Sequence, residues 1–175
     1  MRIVKRVVLF LVIAVVVFVT LLALGLRGNH LPMNDPPGSF VRYYTYLNTH
    51  VAETIEGSPF PELRPRSYTL PADELYGKVK QTIGGMPHWE IVETKDDARQ
   101  LHAVVTTPLF RFKDDVTVSV VPQPGGKPAV TMRSVSRVGQ GDLGANTRHV
   151  MDLYDALEKA GVHGEVERMT TRPAV

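Results

Sequence analysis

The chain of 175 residues contains no cysteine. That absence excludes a disulfide framework and a lipid-modified signal sequence, which needs a thiol to acylate. It fits a poorly reducing compartment without proving one. A surplus of charge of one sign is lacking as well. The formal net charge is +2, and setting aside Arg2, Lys5 and Arg6 leaves 17 Lys and Arg against 18 Asp and Glu, a net −1. A near-neutral domain without a basic stripe has no electrostatic footprint for nucleic acid, so none is expected as a partner.

Catalytic and cofactor signatures are missing too. No glycine-rich loop precedes a helix in Walker or dinucleotide style, and Gly125-Gly126 reads as a hairpin turn. Ser134 and Ser136 lie outside any Gly-x-Ser-x-Gly elbow. The six histidines (30, 50, 88, 102, 149, 163) lack the spacing of zinc ligands and read as surface or satisfied side chains. Trp89 and Phe110 read as core anchors. No cofactor, no metal and no catalytic residue is expected.

What is present begins with an apolar run, Val7 to Leu26, in which sixteen of twenty residues are Val, Leu, Ile or Phe and none is charged. As a helix it is about 30 Å long, matching the hydrocarbon core of a bilayer. Its composition favours insertion by about 5–10 kcal/mol. The rival is a cleaved secretory signal, with Arg2, Lys5 and Arg6 as the charged start. The run exceeds the usual apolar region of about 7–15 residues, and Leu22 to Arg27 offers no small-x-small cleavage site. A permanent single-pass anchor is the expectation. The basic residues before it place residues 1–6 in the cytoplasm and the remaining 149 residues, Arg27 to Val175, outside it, in the periplasm if the source is bacterial.

Gly28 to Gly38 holds three prolines and reads as a stiff spacer reaching at most about 35 Å. Ser39 is a candidate cap for a short helix with Phe40, Tyr43, Tyr44, Leu47 and Val51 on one face, although Tyr43 to Thr49 also suits a strand. Residues 27–66 together read as linker and N-terminal extension, with 58–66 as loop, ahead of an α+β domain over 67–175. In that domain Pro71, Asp73 and Glu74 suit a helix start, Leu75, Val79 and Ile83 form its stripe, and Gly84-Gly85 ends it. Strands are expected at 89–94, 101–107, 116–121 and 129–135. Asn146 is a candidate cap for a last helix carrying Val150, Leu153, Tyr154 and Leu157, and Glu165 to Met169 suits an edge strand. Helix, four strands and helix imply an antiparallel four- or five-stranded sheet with helices on one face. Alternation aligns the last two strands with Val116 facing Met132 and Val118 facing Val130, which would bring Asp115 opposite Arg133.

The densest chemistry lies in Phe112-Lys113-Asp114-Asp115, in Arg133-Ser134-Val135-Ser136-Arg137-Val138-Gly139, and in Gly141-Asp142-Leu143-Gly144-Ala145-Asn146. Over roughly Pro61 to Leu157 the chain resembles the uncharacterised family called domain of unknown function 1499. That family shows a similar Phe-x-Asp-Asp followed by Arg-Ser-x-Ser-Arg-x-Gly-x-x-Asp-x-Gly-x-Asn. The resemblance implies a secreted or membrane-attached protein without an established activity. Many members carry an Asn-Cys segment upstream, and any role of that cysteine does not carry over here.

Three readings of Asp114, Asp115, Arg133, Ser134, Ser136, Arg137, Asp142 and Asn146 follow. Arg133 and Arg137, with the N–H groups at the Asn146 helix start, could hold an anion. Asp114, Asp115, Asp142 and Asn146 could offer oxygens to Ca²⁺. Or the arginines and aspartates form a salt-bridge network tying the 136–145 loop to the sheet. Together with the anchor, the residues lead to a membrane-anchored extracytoplasmic interaction domain, an accessory or stabilising subunit beside a membrane protein partner. The alternative is a small-ligand or anion-binding domain, possibly enzymatic, using the Asp/Arg cluster.

Overall fold

A computed structural model describes residues 2–108, 110–123 and 126–166. Its first element is one helix, α1, Arg2–Gly28, whose apolar window has a mean hydropathy of 3.4 and none of whose residues is buried. By length and composition it can cross a membrane.

The rest is α+β. Helix α2 (Ser39–Asn48) leads to strand β1 (Val51–Glu53), a 3₁₀ turn at Pro61–Leu63 and strand β2 (Arg66–Ser67). Helix α3 (Ala72–Gly84) is followed by β3 (Trp89–Lys95), β4 (Gln100–Thr106), β5 (Lys113–Pro122) and β6 (Pro128–Ser136). Helix α4 (Ala145–Lys159) and β7 (Glu165–Val166) complete it. All pairings are antiparallel, in the order β3-β4-β5-β6-β2-β7, with β1 also on β6. The sheet therefore has seven strands rather than four or five. β1, β2 and β7 are only two or three residues long, too short for alternation to reveal. The expected edge strand survives as β7, and its remainder at 167–169 lies outside the described residues.

Alternation decides the layers. Leu101, Ala103 and Val105 of β4, Val116, Val118 and Val120 of β5, and Val130 and Met132 of β6 share one face. Against it pack Leu75, Val79 and Ile83 of α3 and Val150, Leu153 and Leu157 of α4. Each such fully buried aliphatic side chain contributes about 1.5–3 kcal/mol. The opposite face is polar: Thr117 bonds His102, and Gln100 bonds Ser119.

The β5–β6 register differs from expectation by two residues. Val116 faces Ser134, Val118 faces Met132, and Asp115 faces Val135. Asp115 is instead bonded by Arg137, at 2.9 and 2.6 Å, and Arg133 lies 3.8 Å from Glu53 on β1. A two-residue slip leaves every side chain on its own face, so alternation cannot detect it. The ladder ends at the Pro122–Pro128 pair, where neither residue has an N–H to donate.

Both expected caps are corrected. Gly38 precedes α2 with no side-chain bond, and Ser39 is already helical. Gly144, at a left-handed φ of 81°, precedes α4, so Asn146 stands inside the helix. Of the two possibilities for residues 43–49, the helix is the one formed. Its apolar stripe faces outward: Phe40 is 83% and Tyr44 64% exposed, while Arg42 and Tyr46 face in. The buried Arg42 guanidinium binds both Glu62 carboxylate oxygens, the Tyr46 hydroxyl and the carbonyls of Asp35 and Pro36. One side chain thus ties the spacer to α2 and to the 3₁₀ turn, at the desolvation cost that a bidentate, fully hydrogen-bonded pair offsets.

Candidate functional site

The period of two splits the cluster. Asp114 and Val116 have the same parity on β5, as do Met132, Ser134 and Ser136 on β6, so Asp114, Ser134 and Ser136 extend the core face beyond its apolar part. Asp115, Arg133 and Arg137 project from the other face and pair there as surface ions. The structure therefore brings together Asp114, Ser134, Ser136, Asp142 and Asn146, and keeps both arginines away from them. An anion site built from Arg133, Arg137 and the α4 N-terminus is not assembled. Nor is a cation site that needs Asp115 beside Asp114 and Asp142. Among the described residues no group of three or more His, Asp or Glu converges to hold a metal ion.

Asn146 is the hub of the inner group. Its side-chain N–H groups reach the His50 carbonyl (2.9 Å), the Ser136 hydroxyl (2.8 Å) and Asp142 Oδ2 (2.6 Å). The Ser134 hydroxyl donates to its Oδ1 at 2.5 Å. Asp142 supplies the cap that α4 needs: Oδ1 accepts the Gly144 N–H at 2.7 Å and Oδ2 the Asn146 N–H at 3.0 Å. Burial pushes the Asp142 carboxyl above its ordinary value, although these N–H groups pull the other way. The loop is held against α2, since the Asp142 N–H donates to the Thr49 carbonyl and the Leu143 N–H to that of Tyr46. A Cβ at Gly141 would fall 2.2 Å from the Leu47 carbonyl oxygen, so only glycine permits that approach.

Beside this satisfied network stands a group that is not satisfied. Asp114 is fully buried; Oδ2 and His149 Nε2 are 2.8 Å apart, and Oδ1 has no hydrogen-bond partner among the described residues. Trp89 and the His149 ring pack in a T-shaped arrangement, with centroids 5.9 Å apart. A buried acceptor without a partner costs about 1–3 kcal/mol, so a native one calls for an explanation. Asp114 and His149 line a cavity of about 350 Å³ together with Ser136 and Asp142. Its other side is the last part of α1, through Leu24, Gly25, Gly28 and Asn29. The Asn29 side chain donates to the Leu143 carbonyl at 2.9 Å. A Cβ at Gly25 would stand 2.6 Å from Leu143 Cδ1, so Gly25 opens the seat into which the loop packs.

His149 was not among the expected residues. Its signal was present: it lies three positions after Asn146 on the helix that carries the inward stripe of Val150, Leu153 and Leu157. Phe110 is corrected from core anchor to half-exposed wall of the cavity, stacked on Phe112 with centroids 5.6 Å apart. Trp89 is partly buried against the core. Among the described residues no serine or threonine hydroxyl is hydrogen-bonded to His149.

No curated protein matches the chain. A solution NMR structure of a protein from Thermobifida fusca is similar at 16% identity over 57% of this chain and 82% of that one, with a TM-score of 0.36. A family model described as protein of unknown function, DUF1499, matches residues 43–157, from the middle of α2 to the last core leucine of α4. The match takes in the inner polar group and the Asp114–His149 pair, and by it the chain belongs to the DUF1499 family.

Proposed function

We propose that this chain is a single-pass membrane protein, with residues 1–6 cytoplasmic, that presents its α+β domain outside the cytoplasm and holds a small ligand in the cavity between domain and anchor. One observation carries the reading: a cavity of about 350 Å³ walled by the buried Asp114–His149 pair, Ser136 and Asp142, with Asp114 Oδ1 unpartnered among the described residues. That volume falls within the range of about 300–1,000 Å³ usual for small-molecule sites. A structural network alone would leave no acceptor unpaired, as the neighbouring Asn146 group shows. The alternative voiced from sequence is thus kept in altered form. The ligand meets Asp114, Ser136 and His149, and the arginines take no part.

Native mass spectrometry of the full chain, extracted gently from its own membrane, tests this. The wild type should carry a bound small molecule and Asp114→Ala should lose it. Bare protein in both preparations contradicts the reading.

The accessory-subunit reading keeps a separate support. Phe40, Tyr43, Tyr44 and Leu47 recur at i, i+3, i+4 and i+7 on the outer face of α2, an apolar stripe left exposed by the described residues. A membrane protein partner seated there would use it. Sizing after gentle extraction distinguishes the cases, since a partner subunit should co-purify and a lone monomer counts against it.

A further inference from the structure

We infer that the ligand is an uncharged, hydroxyl-bearing amphiphile that enters from the bilayer, head group first, with its hydrocarbon chain left toward the lipid. This rests on the proposed site and adds the class of molecule and its route.

The route comes from where the cavity opens. One wall is the C-terminal end of α1, the place where a spanning helix leaves the hydrocarbon for the head-group layer. Other walls are apolar and open: Phe110 is 42%, Phe112 49% and Val138 65% exposed. In water such side chains are a liability, whereas beside lipid they continue the apolar phase into the domain. At 350 Å³ the cavity admits a head group and a short stretch of chain and leaves the remainder outside.

The head group follows from the inner end, which is rich in acceptors and in acid. Asp114 borders it with Oδ1 unpartnered among the described residues and almost wholly enclosed, and Ser136 brings a hydroxyl already engaged by Asn146. Asp142 and Asp152 add two further carboxyls. The cation there, Arg148, is held by Asp152 at 2.5 Å and Asp155 at 3.6 Å. A phosphate or carboxylate would meet Asp114 and Asp142 with no unpaired cation to offset them. A hydroxyl supplies a donor to this acceptor-rich wall and brings no charge into a buried place.

The test uses the full chain in phosphatidylcholine nanodiscs with a diazirine-bearing monoacylglycerol. Labelling should map to Phe110, Phe112 and Val138, and monooleoylglycerol should compete it away. Lysophosphatidic acid of the same chain should compete about tenfold less well, about 1.4 kcal/mol. Asp114→Ala should cut labelling by about the same factor. Val138→Trp, an exposed substitution that fills the mouth without disturbing the core, should also cut it if Asp114→Ala fails to fold. Equal competition by the phosphate amphiphile overturns the head-group assignment, and labelling indifferent to Val138→Trp overturns the route. If soluble polyols such as glycerol raise the melting temperature in an Asp114-dependent way while the amphiphile does not label, this inference fails and the ligand site stands. If neither happens, both fail.

Discussion

Asn146 shows how much of the site rests on single atoms. Its amide oxygen accepts the Ser134 hydroxyl, and its two N–H groups are shared among Ser136, Asp142 and the His50 carbonyl, all behind the α4 N-terminus. Asn146→Ala strands the buried Ser134 hydroxyl, at about 1–3 kcal/mol, and takes the donor from the Ser136 hydroxyl, while the His50 carbonyl keeps the Ser136 N–H. Urea denaturation should show a loss of about 3 kcal/mol, and a loss below about 1 kcal/mol contradicts the network. Titration gives a second check. The Arg137 guanidinium bonded to Asp115 holds that carboxyl below its ordinary 3.8, as Arg99 does for Asp73 and Lys80 for Asp96. Stability from these three is present above pH 3.8 and fades as pH falls through their lowered values. Asp142 has the opposite sign. Burial raises it, so its contribution is present below 3.8 and lost as pH rises through its folded value. Melts of wild type and Asp142→Asn from about pH 3 to 7 should therefore diverge in favour of the variant as pH rises through that window. A difference independent of pH contradicts the assignment. At this scale the polar positions were legible as a motif, and their partners were not. Residue type shows that Asp142 accepts hydrogen bonds, but only the fold shows that the donors are the α4 N–H groups rather than Arg133 or Arg137.

At the scale of elements, long periodic segments were legible and short or slip-tolerant ones were not. Leu75, Val79 and Ile83 mark α3, and alternation marks β4, β5 and β6 on the correct face. The β5–β6 register escaped because a shift of two keeps both faces, leaving the decision to the turn. The absence of cysteine makes this directly testable. Thr117→Cys with Arg133→Cys places direct partners together on the exposed face, within reach of a disulfide. Thr117→Cys with Thr131→Cys places diagonal neighbours about 7–8 Å apart. Mild oxidation should close the first pair and spare the second, and the reverse result restores the register read from sequence. Helix α2 was visible by its stripe, yet the burial of Arg42 was not. A lone arginine between aromatics carries no mark of its Glu62 partner twenty positions away.

For the whole molecule, the question is which side of a membrane the domain occupies and what α1 does for it. In the proposed topology a cysteine replacing the exposed Asp97 is labelled in intact cells by an impermeant maleimide. Labelling only after lysis would invert the orientation. The apolar helix was the most legible feature of the sequence, since composition alone defines it. Its second role was hidden. Gly25, Gly28 and Asn29 look like a fraying helix end, and only the folded chain shows them closing a cavity over Asp114. In the proposed reading α1 is both anchor and wall of the cavity beside Asp114. The most direct measurement is a high-resolution crystal structure of the full chain purified straight from its membrane. Non-protein density in the cavity, with a polar atom about 3 Å from a side-chain oxygen of Asp114, Ser136 or Asp142, is the predicted result. A cavity that holds water alone, or one that has collapsed so that Oδ1 finds a partner within the chain, would contradict the account.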